Sequence, residues 1–154
     1  MDEFEKAECE GRKIIEQLIS GHCINYEFTK DKYCGVDLLV TGYSATVAME
    51  IKNRTGYTST EIDEMGGHIF EWKKYEALKD YGKYYEKPIY TIIYPDEILM
   101  WDISTITDDR FQLEDKKYKR VTVVESEIIP KKVAYLKKDE AIWKKKRNED
   151  EQDS

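Results

Sequence analysis

The apolar positions of the chain fall into two periods. Phe4, Ala7, Ile14, Ile15, Leu18 and Ile19 recur at helical spacing, so residues 2–20 are predicted as an amphipathic helix, with Gly21 as its stop. Period-two stretches follow. Cys23 to Thr29 reads as a short strand, Gly35 to Thr41 as a second, and Thr46 to Asn53 as a third, with Gly42 to Ala45 as the turn. Residues 54–60 are polar loop. From Glu61 to Tyr85 the apolar positions Ile69, Trp72, Tyr75, Ala77, Leu78 and Tyr81 predict a second helix, with Gly66-Gly67 a candidate interruption of its first turn. Pro88 opens a strongly β run, Ile89 to Tyr94. Pro95-Asp96 then turns the chain into a further strand, Ile98 to Ile103. Residues 104–118 read as loop and Tyr118 to Val124 as a strand. Val133 to Leu136 reads as a short strand or helix. The end, from Trp143, reads as a frayed helix or disordered tail.

This order predicts an α/β protein of one domain over 1–138, with a charged tail at 139–154. The length of 154 residues agrees with one domain. Charge sharpens the picture. Residues 1–115 hold 13 Lys/Arg against 24 Asp/Glu, whereas residues 116–147 hold 12 against 4, within a net charge of −7. A basic surface on an acidic protein is therefore allowed. No apolar run approaches the length of a membrane span. The acidic start, MDEFEKAECE, and three cysteines point to a reducing cytoplasm, a host's if the chain is phage-encoded.

Candidate chemistry lies on the second and third strands. A two-residue hairpin at Tyr43-Ser44 pairs Leu38 with Met49 and Val40 with Val47, all apolar. Continued outward, it pairs Val36 with Ile51 and sets Asp37 opposite Glu50, with Lys52 on the same face. Like charges so placed repel, and a cation between them resolves the conflict. An all-oxygen pair suits Mg²⁺ or Mn²⁺. On the first helix, Glu10, Ile14 and Leu18 share a stripe, which makes Glu10 a candidate third carboxylate. Glu8 competes, but its i+4 neighbour Arg12 favours an ordinary surface pair.

Asp37, twelve intervening residues, then Glu50-Ile51-Lys52 resembles the D…E-x-K signature of the PD-(D/E)XK nuclease superfamily. The resemblance implies a three-layer, restriction-endonuclease-like αβββαβ core with a central mixed sheet. It implies that Asp37, Glu50 and the Ile51 carbonyl bind Mg²⁺ (or Mn²⁺), and that Lys52 assists the attacking water. Members similar to Holliday-junction resolvases add a first-helix glutamate eleven residues before the glycine that ends the helix, a spacing that Glu10 and Gly21 reproduce. Phage and mobile-element members carry E-x-x-K-x-x-x-L on the second helix, matched by Glu71, Lys74 and Leu78, which gives Lys74 a role at the scissile phosphate. The implied activity is DNA endonuclease, with Arg54 and Lys73 as substrate-binding cations and a homodimer suited to cutting both strands. Two alternatives stay open: a catalytically inactive module of this fold that binds DNA or a protein, and a phage or mobile-element inhibitor.

Overall fold

The computed structural model describes residues 2–30, 35–114 and 131–147. It is a mixed α/β structure built on two sheets. Helix α1 (Glu3–Ile19) starts at Asp2, whose side chain accepts from the Glu5 amide over 2.7 Å. It ends before Gly21, whose φ of +81° suits the left-handed residue that closes a helix. Strands β1 (Asn25–Phe28), β2 (Leu38–Thr41) and β3 (Thr46–Asn53), the three that the alternation predicts, form an antiparallel meander. Strand β5 (Lys87–Ile93) joins β3 in parallel, and β6 (Glu97–Asp102) returns antiparallel to β5.

The predicted helix over 61–85 is not one helix. A capping box at Thr58 and Glu61 starts α2 (Ser59–Glu64). Gly66 and Gly67, at φ +126° and +123°, then end it. A Cβ at Gly67 would stand 2.9 Å from the Leu136 carbonyl oxygen, so only glycine lets the chain lie this close to its neighbour. Residues His68–Glu71 become β4, and the helix resumes as α3 (Trp72–Tyr81). Ile69 is therefore a strand residue, and Glu71 is the residue that precedes α3.

Two further expectations are corrected. Part of the predicted 104–118 loop is a strand, β7 (Gln112–Glu114), which pairs with β8 (Lys131–Leu136); β8 also pairs with β4 in a second, three-stranded sheet. Trp143–Lys146 is not a frayed helix or disordered end but β9, the edge strand beside β6. Its lysines blunt that edge against pairing with another chain. The strand expected at Tyr118 to Val124 lies outside the described residues. The main sheet therefore runs β1-β2-β3-β5-β6-β9.

Each face of this sheet has its own core. Ile15 of α1 packs with Leu38, Val40, Met49, Ile51, Ile89, Ile93 and Ile98. On the other face, Tyr75 and Leu78 of α3 and Phe70 of β4 pack against Tyr90, Ile92, Tyr94, Leu99 and Trp101. Strand β5 is buried on both faces, which is why its sequence is an unbroken apolar run. Among the described residues no helix is long and apolar enough to cross a membrane.

Candidate active site

The β2–β3 hairpin has the predicted register: Leu38 opposes Met49, Leu39 opposes Ala48, Val40 opposes Val47 and Thr41 opposes Thr46. It does not continue to Asp37 and Val36. Leu38 is the partner of Met49, yet the Asp37 amide also donates to the Met49 carbonyl, over 2.9 Å. Two residues thus face one, the mark of a β-bulge. Asp37 is not a flat cross-strand partner of Glu50. Its Oδ2 instead accepts from the Ile51 amide over 2.8 Å. Val36 is thrown to the opposite face from the one its alternation predicts and joins the core under α3. Thr29 clamps the bulge, its Oγ1 donating to the Val36 carbonyl (2.6 Å) and its amide to the Asp37 carbonyl (2.9 Å). Gly35, at φ +86°, admits close approach to α3, since a Cβ there would stand 2.8 Å from that of Ala77.

Glu50 points to the α3 side of β3 and its side chain is only 5% exposed. Lys74 Nζ lies 3.3 Å and Lys52 Nζ 3.8 Å from its Oε1. Burial pushes the Glu50 carboxyl up to about 7, and the charge of Asp37 adds to the rise against the pull of the two lysines. Arg12 of α1 donates to Asp37 Oδ1 (3.2 Å) and to the Thr29 carbonyl (3.0 Å).

These groups line one open cavity of about 560 Å³. Asp37, Glu50, Lys52 and Lys74 all reach it, joined by Glu8, Arg12 and Lys30. Four cations against three carboxylates leave a wall able to accept an anion. Glu10 is not among them. Gly11 and Ile15 are the buried positions of α1, and Glu10 stays exposed off the cavity, so Glu8 is the α1 carboxylate on its wall. Glu10 misses the cavity because Gly11, a residue with no side chain, seats α1 on β3: a Cβ there would stand 3.2 Å from that of Asn53. Arg12 was hidden by the same pairing that made Glu8 look ordinary. Its i+4 spacing from Glu8 was the one available signal.

Lys73 is exposed on α3 and absent from the cavity wall. Arg54 is exposed and lines a separate groove. Glu71 makes its ion pair with Lys131 (3.4 Å). Of the second-helix pattern, Lys74 alone reaches the cavity, while Leu78 is core.

Among the described residues no three His, Cys, Asp or Glu side chains form a metal-holding group. What is present is Asp37 and Glu50, with Glu8 on the same wall; Glu50 is buried, and the charge of Asp37 adds to the rise of its carboxyl. The carbonyl of Ile51 lies on the strand edge that faces β2, because a strand residue sends its N–H and C=O to the same neighbour. An oxygen set with one or two carboxylates and room for several waters fits Mg²⁺ or Mn²⁺ chemistry. Comparison of the chain with protein-family models, curated proteins and solved structures finds no match.

Proposed function

We propose that the chain is a Mg²⁺- or Mn²⁺-dependent DNA endonuclease with a D…E-x-K site, on a restriction-endonuclease-like αβββαβ core. One observation carries the reading: Asp37 from the bulge before β2, Glu50 and Lys52 from β3, and Lys74 from α3 share one cavity. The order α1, β1, β2, β3, α3, β5 supports the core, with α2 and β4 as additions between β3 and α3.

Asp37, Glu50 and the Ile51 carbonyl would hold the metal. A bound divalent cation supplies Lewis-acid polarisation of a phosphate oxygen and lowers the pKa of water. The protein's own groups do the rest. Lys52 orients the attacking water and stabilises charge developing on the phosphoryl oxygens. Lys74, 3.3 Å from Glu50, neutralises that carboxylate and presents a cation to the phosphate. Arg12 fixes Asp37, and the Ile51 amide fixes it from the other side.

A second reading has its own support. Arg12, Lys52 and Lys74 already compensate both carboxylates, as they would in a module that binds DNA or a protein without cutting. The two readings separate on labelled linear, single-stranded and branched DNA incubated with Mn²⁺, with Mg²⁺ and with EDTA. Cleavage that needs metal and vanishes in Asp37→Asn and Lys52→Ala proteins establishes the nuclease. No cleavage by folded protein under any condition overturns it in favour of the binding module.

A further inference from the structure

A second depression, of about 790 Å³, lies beyond the end of β3. Its walls come from the first turns of α1, the loop after β3, and α2 with the start of β4, against Ile92 of β5 and Tyr94 just after it. Three large apolar side chains are left exposed on it: Phe4 (68%), Tyr57 (52%) and Met65 (64%). A soluble domain seldom gathers exposed apolar groups in one place without a ligand for them. The groove has one cation, Arg54, and one carboxylate, Glu3.

Its position relative to the candidate active site selects the ligand. The Arg54 amide donates to the Ile93 carbonyl over 2.8 Å, which prolongs the β3–β5 ladder by one step. Glu50, Lys52 and Arg54 therefore alternate onto the same face of one strand. Lys52 and Arg54 stand about 6.7 Å apart along it, the reach of one nucleotide in an extended strand. A chain of phosphates following β3 passes from Lys52 to Arg54, and the groove with its exposed rings Phe4 and Tyr57 opens beside the second. Flat apolar rings beside a cation match a nucleobase and its phosphate.

Resting on the nuclease reading, we propose that this groove takes an unpaired base next to the bond at the active site, with Tyr57 and Phe4 as its stacking surfaces and Arg54 on its phosphate. The substrate class is then DNA with at least one unpaired nucleotide beside the cut: a single strand, flap or branch. A base inside a duplex has both faces stacked and cannot enter without leaving the helix.

The test is fluorescence anisotropy in EDTA, which needs no cleavage, with fluorescein-labelled single-stranded, flapped and blunt duplex DNA. A parallel set carries 2-aminopurine at the unpaired position, which reports stacking directly. Wild-type protein should bind the unpaired forms more tightly than blunt duplex and quench the 2-aminopurine. Tyr57→Ala and Phe4→Ala, both at exposed positions, should each weaken binding of unpaired DNA about ten-fold and relieve the quench. Blunt-duplex binding should not change, and Tyr57→Phe should behave as wild type. Equal affinity for blunt duplex, or alanine variants that bind and quench like wild type, overturns the groove assignment and leaves the nuclease reading standing. Failure to bind any of the DNAs also overturns the groove assignment, while the nuclease reading stands or falls on the cleavage assay.

Discussion

The Ile51 amide donates to Oδ2 of Asp37 over 2.8 Å, so the residue between Glu50 and Lys52 holds the aspartate that a bulge has turned out of its strand. Structure and chemistry at Asp37 can therefore be separated. Asp37→Asn keeps an oxygen that accepts from Ile51, and its stability should lie within about 1 kcal/mol of wild type. Asp37→Ala leaves the Ile51 amide without its acceptor and Arg12 with the Thr29 carbonyl alone, and should lose about 1–3 kcal/mol. Both should abolish metal-dependent cleavage. Urea melts beside cleavage assays check this; equal stability losses would show that the Asp37–Ile51 hydrogen bond is not what holds the bulge.

Glu50 gives a pH signature in metal-free protein. Its carboxyl titrates near 7 when folded, against 4.5 for the ordinary group. The folded state therefore holds the proton more tightly than the unfolded chain. Stability should be highest below about pH 4.5 with respect to this group and fall as pH rises toward 7, by roughly 3 kcal/mol. Glu50→Gln should lose that slope and exceed wild type in stability at pH 8 in EDTA. Chemical denaturation from pH 5 to 8 reads both curves, and parallel slopes would refute the assignment.

A divalent cation should reverse this penalty. Metal held only by the folded state at about one hundred times its Kd adds about 2.7 kcal/mol, which corresponds to roughly 5–10 °C in Tm at this size. Mn²⁺ or Mg²⁺ should raise the Tm more at pH 8 than at pH 5, because Glu50 must be ionised to bind. Differential scanning fluorimetry with Asp37→Asn as control would show the same small shift in both proteins if no site exists.

The two lysines should differ in effect. Lys52→Ala removes the group assigned to the water and should cut the cleavage rate about 100-fold or more. Lys74→Ala removes the closer partner of Glu50 and should raise the pH at which activity appears. Full pH–rate profiles distinguish them; two lowered but unshifted profiles would count against the role given to Lys74.

His68 is fully buried, with Nδ1 2.6 Å from the Tyr94 hydroxyl and Nε2 3.2 Å from Asp63 Oδ1. Burial lowers its pKa despite the carboxylate. Its folded state resists protonation, so its contribution is complete above about 6.5, the ordinary value, and is lost as pH falls below that. This slope is opposite in sign to that of Glu50. Tyr94→Phe leaves a buried nitrogen unpaired and should cost about 1–3 kcal/mol at pH 7, measured by urea melts.

Much of the architecture was legible because one-face burial imposes a period. Helix α1 follows from helical spacing, and the β2–β3 register and the β5–β6 hairpin from alternation and turn residues, and Asp37, Glu50 and Lys52 could be named from them. What the tertiary structure decided are events that leave no period. The bulge at Asp37 is a one-residue slip that reverses the face of Val36 without any change in composition. The helix expected over 61–85 is split because β8, far along the chain, pairs with His68–Glu71 and needs Gly67 against the Leu136 carbonyl. The lysine-rich end becomes β9 only because β6 offers it an open edge. Glu8 instead of Glu10 reaches the cavity because Gly11 sets how α1 lies on β3. Local sequence determines which elements form and which face of each is apolar. Contacts between distant segments determine where a strand is broken, how a helix is rotated, and so which charged groups meet.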